Sequence, residues 1–266
     1  MKRPALLLIV LLFSFSSCKK VPITGRRQMK LVSTNKMMKM SAKHYETFLD
    51  TNKSQVLSDN HPKTKMVREV GKNISTATEE YLKENGYENR FEGFEWEFNV
   101  VKSDKVNAWA MSGGKVVFYT GIMEIAEDKN GIAVIMGHEI SHAIARHANE
   151  RMSQGLALKV GGATLGAALS QNPSLTNNLL LRSYGIAGKL GTLAYSRKHE
   201  AEADKMGLIF MAKAGYDPHH APKFWERMSE LGGKKPPEFL STHPSDEKRV
   251  KNLKDFMPKA MEHYEE

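Results

Sequence analysis

Apolar positions recur along this chain with two different periods, and the change of period divides it. Over residues 37–57 they return at near-helical spacing through Met37, Met40, His44 and Phe48. Residues 64–85 repeat the pattern through Val67, Val70, Ile74, Ala77 and Tyr81, and Gly86 stands where that second helix would stop. The period then falls to two. Phe94, Trp96, Phe98 and Val100 alternate with Glu95, Glu97 and Asn99, which predicts a half-buried strand. Ser112-Gly113-Gly114 between residues 105–111 and 115–120 predicts a hairpin with a glycine turn. Beyond it the spacing is helical again, starting over 122–126 and continuing in one long helix over 131–154. The pattern therefore predicts an α+β fold, mostly helical, with a small β-sheet.

Residues 155–195 are rich in Gly, Ala and Leu and are interrupted by Gln171-Asn172-Pro173-Ser174. Lys159, Asn177, Asn178 and Arg182 argue against a membrane span. Closely packed helices are expected there, with a lid or a membrane-apposed surface as the sharper alternative.

Composition adds bounds. A chain of 266 residues, 41% hydrophobic and 26% charged, has enough apolar mass for one sizeable domain, so disorder is not the expectation. The net charge of +9 admits an anionic partner. Its lysines are scattered without interleaved aromatics, so no nucleic-acid partner is expected. At the other extreme, Lys2 and Arg3 precede an apolar run from Ala5 to Phe13, too short to span a bilayer but suited to a secretory signal. Residues 1–17 are read as a lipoprotein-type signal peptide. Cys18, the single cysteine, cannot form an internal disulfide and sits where a lipobox places its lipidated residue, although Phe15 stands where leucine is usual. On this reading lipidated Cys18 anchors the chain to a membrane. Residues 18–45 are then a tether and lead-in, and 46–266 form one catalytic domain.

The candidate chemistry lies in Gly137-His138-Glu139-Ile140-Ser141-His142, embedded in apolar residues. Residues four apart share a helix face, so His138 and His142 present two imidazoles to one point. Glu139 is rotated by about one hundred degrees and flanks that point, where a carboxylate takes a proton from water polarised by a metal. Such a five-residue pattern also arises by chance, so a third ligand is the internal test.

His147 and Glu150 point poorly, and Arg146 and Asn149 suggest a solvated face around them. The better candidate is in Ser196–Asp204. Glu200, Ala203, Asp204, Gly207, Leu208 and Met211 share one small, apolar helical face, whereas Lys198, Glu202, Lys205 and Lys213 share roughly the opposite one. Glu200 is thus the expected ligand and Glu202 a solvent-facing charge. Asp204, one turn on, is placed to accept the spare ring N–H of a ligating histidine.

His-Glu-Ile-Ser-His followed by a helix bearing Glu-x-x-x-Asp resembles the zinc metallopeptidases grouped with the CaaX prenyl proteases and HtpX. VPITGRRQ at 21–28, VNAWA at 106–110, Gly113-Gly114 and Ser241-Thr242-His243-Pro244 with Arg249 are similar to the periplasmic lipoprotein peptidases of the BepA and LoiP type. Ser112 departs from the proline often found there. The resemblance implies a gluzincin-type zincin fold, one Zn2+ per chain on His138, His142 and Glu200, and Glu139 and His243 as catalytic residues. It leaves open whether His243 occupies the fourth metal position at rest or stabilises the oxyanion. Arg249 and Tyr195 are possible supports. It further implies a zinc endopeptidase of the bacterial envelope, periplasmic and lipid-anchored to the outer membrane, that degrades misfolded or unfolded envelope proteins. An extended substrate would add along residues 105–111 if that strand is a sheet edge. The alternative is a zinc-bound, chaperone-like protein with latent protease activity.

Overall fold

A computed structural model of the chain describes residues 18–160, 173–184, 196–231, 237–243 and 247–265. The expected signal peptide, Tyr195 and Pro244 lie outside the described residues. The described chain begins with a short antiparallel pair, β1 (Cys18–Lys20) and β2 (Arg27–Met29). Between them Ile23 and Gly25 both adopt left-handed φ values of 64°, which turns the chain tightly. Val21, Gln28 and Val32 are buried. Residues 18–45, read from sequence as a tether and lead-in, are therefore woven into the fold, and the boundary expected at residue 46 falls inside the first helix.

That helix, α1 (Thr34–Thr51), starts at Ser33, whose side chain accepts the Lys36 amide N–H. Next, α2 (Pro62–Glu84) carries its predicted face of Val67, Val70 and Ile74 into the core, and the chain leaves it through Gly86 at φ 73°. Strands β3 (Glu97–Val101), β4 (Ala108–Met111) and β5 (Lys115–Tyr119) form a three-stranded sheet in the order β3-β5-β4. The predicted hairpin joins β4 to β5 antiparallel, with Gly113 and Gly114 at φ 94° and 87°. β3 runs parallel to β5. β4 is thus an edge strand of the sheet among the described residues.

Alternation sorts the sheet's side chains between two cores. Phe98, Val100, Ala108, Ala110, Val116 and Phe118 face a large cluster shared with the later helices. Val101, Trp109, Met111, Val117 and Tyr119 face a smaller cluster containing Met37 and Tyr45 of α1. The strand expected to be half-buried is covered on both sides. Asn99, which suggested a wet face, donates through its side-chain amide to the Tyr45 hydroxyl at 2.9 Å.

The helical part follows: α3 (Thr120–Ala126), α4 (Lys129–Ile144), α5 (His147–Val160), α6 (Pro173–Ser183), α7 (Arg197–Lys213), α8 (His220–Glu230), α9 (Glu238–Thr242) and α10 (Glu247–Met261). The single helix expected over 131–154 is broken. Arg146 takes a left-handed φ of 59° between α4 and α5, and no glycine or proline marks the break. α5 and α6 pack against each other, burying Met152, Leu156, Leu179 and Leu180. For their described residues the packed-helix reading of 155–195 stands. A lid there would fall largely on residues outside the description. Among the described residues no helix is long and apolar enough to cross a membrane.

The crossing of α4 and α7 positions the chemistry. A Cβ at Gly137 would lie 2.8 Å from the Gly207 carbonyl oxygen, and one at Gly207 would lie 3.0 Å from both Gly137 C and His138 N. Two glycines let the helix backbones touch, so side chains on their facing surfaces meet at short range. The architecture is the expected one: mostly helical, with a small sheet beside the helix that carries His138, compatible with a zincin-like fold.

Candidate active site

His138 and His142 project from successive turns of α4 with their Nε2 atoms 3.0 Å apart. α7 begins at Ser196, whose hydroxyl accepts the His199 amide N–H, and this places Glu200 in its first turn. The Glu200 carboxylate lies 3.4 Å from each imidazole Nε2. His243 follows α9 directly. Its backbone N–H donates to the Phe239 carbonyl at 2.7 Å, and its ring packs against the Phe239 ring, which stacks on Trp225. Its Nδ1 is 3.1 Å from His138 Nε2 and 3.2 Å from both Glu200 oxygens. All four residues are buried, and one donor atom from each lies within 4.8 Å of the others.

The donor set fits a divalent metal ion. Atoms held ~2.0–2.1 Å from a common centre at tetrahedral angles lie about 3.3 Å apart, and the separations here run from 3.0 to 3.4 Å. Without such an ion, three imidazoles and a carboxylate packed this closely in a buried site have no evident reason. The charges agree. Glu139, Glu200 and Asp204 are buried around the imidazoles, with Arg249 as the buried guanidinium among them. Burial pushes the Glu200 carboxyl up, but the adjacent His243 and Arg249 outweigh it and hold it well below the usual carboxylate range. Burial works against charge on His138 too, yet the Asp204 and Glu200 carboxylates raise it to about 9. Burial prevails at the other two rings, pushing His142 well below the usual imidazole range and His243 down to about 4, so both present neutral, lone-pair-bearing nitrogens.

Asp204 sits as the face argument anticipated, with Oδ1 3.0 Å from His138 Nδ1. Arg249 locks it in place, donating from Nε and from its terminal nitrogen at 2.9 and 2.7 Å, while its other terminal nitrogen lies 3.1 Å from Glu200. The guanidinium lies 3.3 Å over the Trp225 ring. Arg249, a possible support from sequence, is a structural clamp on two acids.

Glu139 is different. Its Oε2 accepts the Ala110 N–H of β4 at 3.2 Å, whereas Oε1 is buried without a hydrogen-bond partner among the described residues. His243 Nε2 lies 3.5 Å from Oε1. Burial is the main cause that pushes the Glu139 carboxyl up to about 8. A carboxyl near neutrality with one unsatisfied oxygen beside the donor set is built to exchange protons. A cleft of about 250 Å³ lined by Arg197, Lys198, Lys248 and Asn252 reaches Glu200 and Asp204 from outside.

Two sequence readings are corrected. Glu202, expected in solvent, is buried, with its carboxylate bound by Arg26, Thr24 and His147. Asn149, expected with Arg146 on a solvated face around His147, is buried, as are His147 itself and Glu150. The residues after β1 cover that side of α7, and the break at Arg146 turns α5 towards it. Neither cause has a local sequence signal. His147 and Glu150 do stay out of the donor set, and Tyr195 lies outside the described residues.

Comparison with known proteins gives a consistent result. Residues 70–257 match the family model of Peptidase family M48. The chain is 30% identical over 250 residues to the mitochondrial metalloendopeptidase OMA1 of Schizosaccharomyces pombe, covering 93% of this chain and 69% of that protein. It is 30% identical over 265 residues to human metalloendopeptidase OMA1, covering 96% of this chain and 48% of the relative. The beta-barrel assembly-enhancing protease of Escherichia coli is also 30% identical, but over 164 residues, 59% of this chain and 34% of its own length. These matches correct the expected location. Relatives aligned along nearly the whole chain carry mitochondrial names, so the placement in a bacterial periplasm, lipid-anchored to the outer membrane, does not stand. A basic stretch followed by an apolar run records an affinity for membranes and translocation machinery, and says little about which membrane.

Proposed function

The chain belongs to Peptidase family M48 and is a metalloendopeptidase, and on that premise we propose that it uses zinc to cut extended segments of unfolded or misfolded protein. His138, His142 and Glu200 would hold the ion: imidazole and carboxylate donors without thiolate suit a catalytic zinc. The spacing of the buried donor atoms, 3.0 to 3.4 Å, carries this reading. When bound, the ion supplies the polarisation that activates water and the scissile carbonyl. Glu139, with Oε1 buried and unsatisfied beside the donor set, would take the proton from the attacking water and return it to the leaving amine. Asp204 and Arg249 keep the His138 ring in the orientation that presents Nε2.

Substrate would lie along β4. The edge position of that strand supports the idea, since an edge offers a row of backbone groups to an added strand. In the present conformation those groups are engaged. The Ala110 N–H is held by Glu139, and the Val106 carbonyl accepts the Phe239 N–H at 3.1 Å. The segment that carries His243 therefore lies over the site twice, supplying a fourth donor and covering part of the edge. We read His243 as a resting-state occupant of the fourth position that withdraws when substrate enters. Low specificity for side chains follows, because main-chain pairing ignores sequence.

The same occupancy favours a second reading, a metal-loaded binder of unfolded chains whose protease activity stays latent. Cleavage of unfolded casein by the zinc-loaded protein, compared with Glu139→Gln, separates the two. Turnover by the wild type and its loss in the variant support the endopeptidase. Equal, negligible cleavage by both would leave only the binder.

A further inference from the structure

The second ring nitrogen of His142 leads into a buried network with no counterpart in the sequence patterns. Its Nδ1 lies 2.7 Å from His147 Nδ1, and His147 Nε2 lies 2.9 Å from Glu202 Oε2. Glu202 receives the Arg26 guanidinium through Nε at 3.0 Å and a terminal nitrogen at 2.8 Å, together with the Thr24 hydroxyl. The other face of Arg26 binds Glu150 at 2.9 and 2.8 Å, and Glu150 accepts from His199 Nε2 at 3.0 Å. The His199 ring stacks on His147 with centroids 4.3 Å apart and planes 22° from parallel. Two histidine–glutamate pairs thus lie side by side, bridged by one arginine from the N-terminal segment.

The proton positions in this chain follow from its far end. A carboxylate bound by a guanidinium and a hydroxyl is an acceptor, so His147 Nε2 carries a hydrogen and donates to it. A neutral His147 then has a bare Nδ1. Two ring nitrogens 2.7 Å apart need one hydrogen between them, and it must sit on His142 Nδ1. The His142 lone pair is left on Nε2, the atom that faces Glu200 and His138. The opposite direction of donation would put a hydrogen on Nε2 and remove it as a ligand.

We infer that His147 is a positioning residue for the metal site: by accepting the His142 Nδ1–H and donating to Glu202, it fixes the tautomer and ring orientation in which His142 binds the ion. The relay ends at Arg26, so the segment between β1 and β2 is a working part of the centre. His138 has the common carboxylate partner in Asp204, whereas His142 reaches its carboxylate through a second imidazole. The inference rests on the proposed zinc ligation by His142.

The test uses the full zinc-loaded protein and His147→Phe, which keeps the ring and its stack on His199 but makes neither hydrogen bond. Zinc affinity, measured by competition with a chromophoric chelator, should fall by about 10- to 100-fold, the range seen when partners of ligating histidines are lost. Thermal unfolding of the chelated proteins checks that both fold. Nitrogen-15 correlation spectra of the imidazoles in the zinc-loaded wild type should show His142 protonated at Nδ1 and bare at Nε2. Zinc affinity of the variant within threefold of wild type, or a hydrogen on His147 Nδ1, overturns the relay. Should His147→Phe fail to fold, Glu202→Gln replaces it: its amide keeps the volume but no longer enforces one direction of donation. A threefold or greater loss of zinc affinity supports the relay, and unchanged affinity overturns it. If the wild type itself binds no zinc, the fault lies with the metal-site reading and not with the relay alone.

Discussion

Replacing Gly137 by alanine probes how far the site depends on two helices crossing at backbone distance. The new Cβ would lie 2.8 Å from the Gly207 carbonyl oxygen and 3.3 Å from Gly207 Cα, where ordinary contact begins at 3.4 Å. Both groups are helix backbone and have no rotamer to escape into. The axes of α4 and α7 must therefore part by about 0.6 Å. Overpacking of this kind costs about 1–3 kcal/mol, and the better helix propensity of alanine returns ~1 kcal/mol. The net loss of about 0–2 kcal/mol corresponds to at most ~8 °C in melting temperature. The donor set is less tolerant. Glu200 on α7 meets the two α4 imidazoles at 3.4 Å, and metal–ligand distances accept only about ±0.2 Å. Zinc affinity and kcat/KM on unfolded casein should each fall by ~10²-fold, the order expected for misplacement on the ångström scale. Thermal unfolding in chelator, zinc competition and casein cleavage measure the three quantities separately. Wild-type affinity and turnover in Gly137→Ala, or a loss of activity matched by a loss of folded protein, would refute the claim that the glycine crossing sets the donor spacing.

Other outcomes follow from the same geometry. Glu139→Gln should reduce kcat by about 10²–10⁴-fold while zinc binding, measured by metal analysis after dialysis, stays near one ion per chain, since Glu139 lies outside the donor set. Chelation should abolish cleavage and lower the melting temperature, with both restored by added zinc, because a ligand that binds only the folded state stabilises it by mass action. If His243 occupies the fourth position at rest, His243→Ala should raise casein cleavage by on the order of tenfold, the effect of removing ~1.4 kcal/mol of preference for the closed state. A fall in kcat would point instead to oxyanion stabilisation. The Arg26 pairs should show in acid. Burial pushes Glu150 up, but hydrogen bonds from His199 and Arg26 prevail and hold it well below the usual carboxylate range. A depressed folded pKa stabilises above the unfolded value of ~4.3 and is lost as pH falls through the folded one. In chelator, Glu150→Gln should therefore be less stable than wild type by about 1–3 kcal/mol near neutrality, with the gap between the two starting to narrow only as pH falls below the unfolded value of ~4.3.

Much of the donor grouping was legible in the sequence because it is written within single helices. His138 and His142 are one turn apart, as are Glu200 and Asp204, and helical geometry alone places each pair on one face. The helix of residues 62–84, the β4–β5 hairpin and the glycine turn were likewise set by local period and by residues that tolerate positive φ. What tertiary structure decided is which faces end up covered. Glu202 reads as a solvent charge among lysines, yet Arg26, 176 residues earlier in the chain, covers it. His147 reads as part of a wet face until the backbone breaks at Arg146 and turns it inwards. The parallel pairing of β3 with β5 and the position of His243 over the donor set also depend on contacts between segments far apart in sequence. Local spacing fixes the direction of a side chain relative to its own helix or strand. Whether that direction meets water, a partner charge or a metal depends on the rest of the fold, which no single segment encodes.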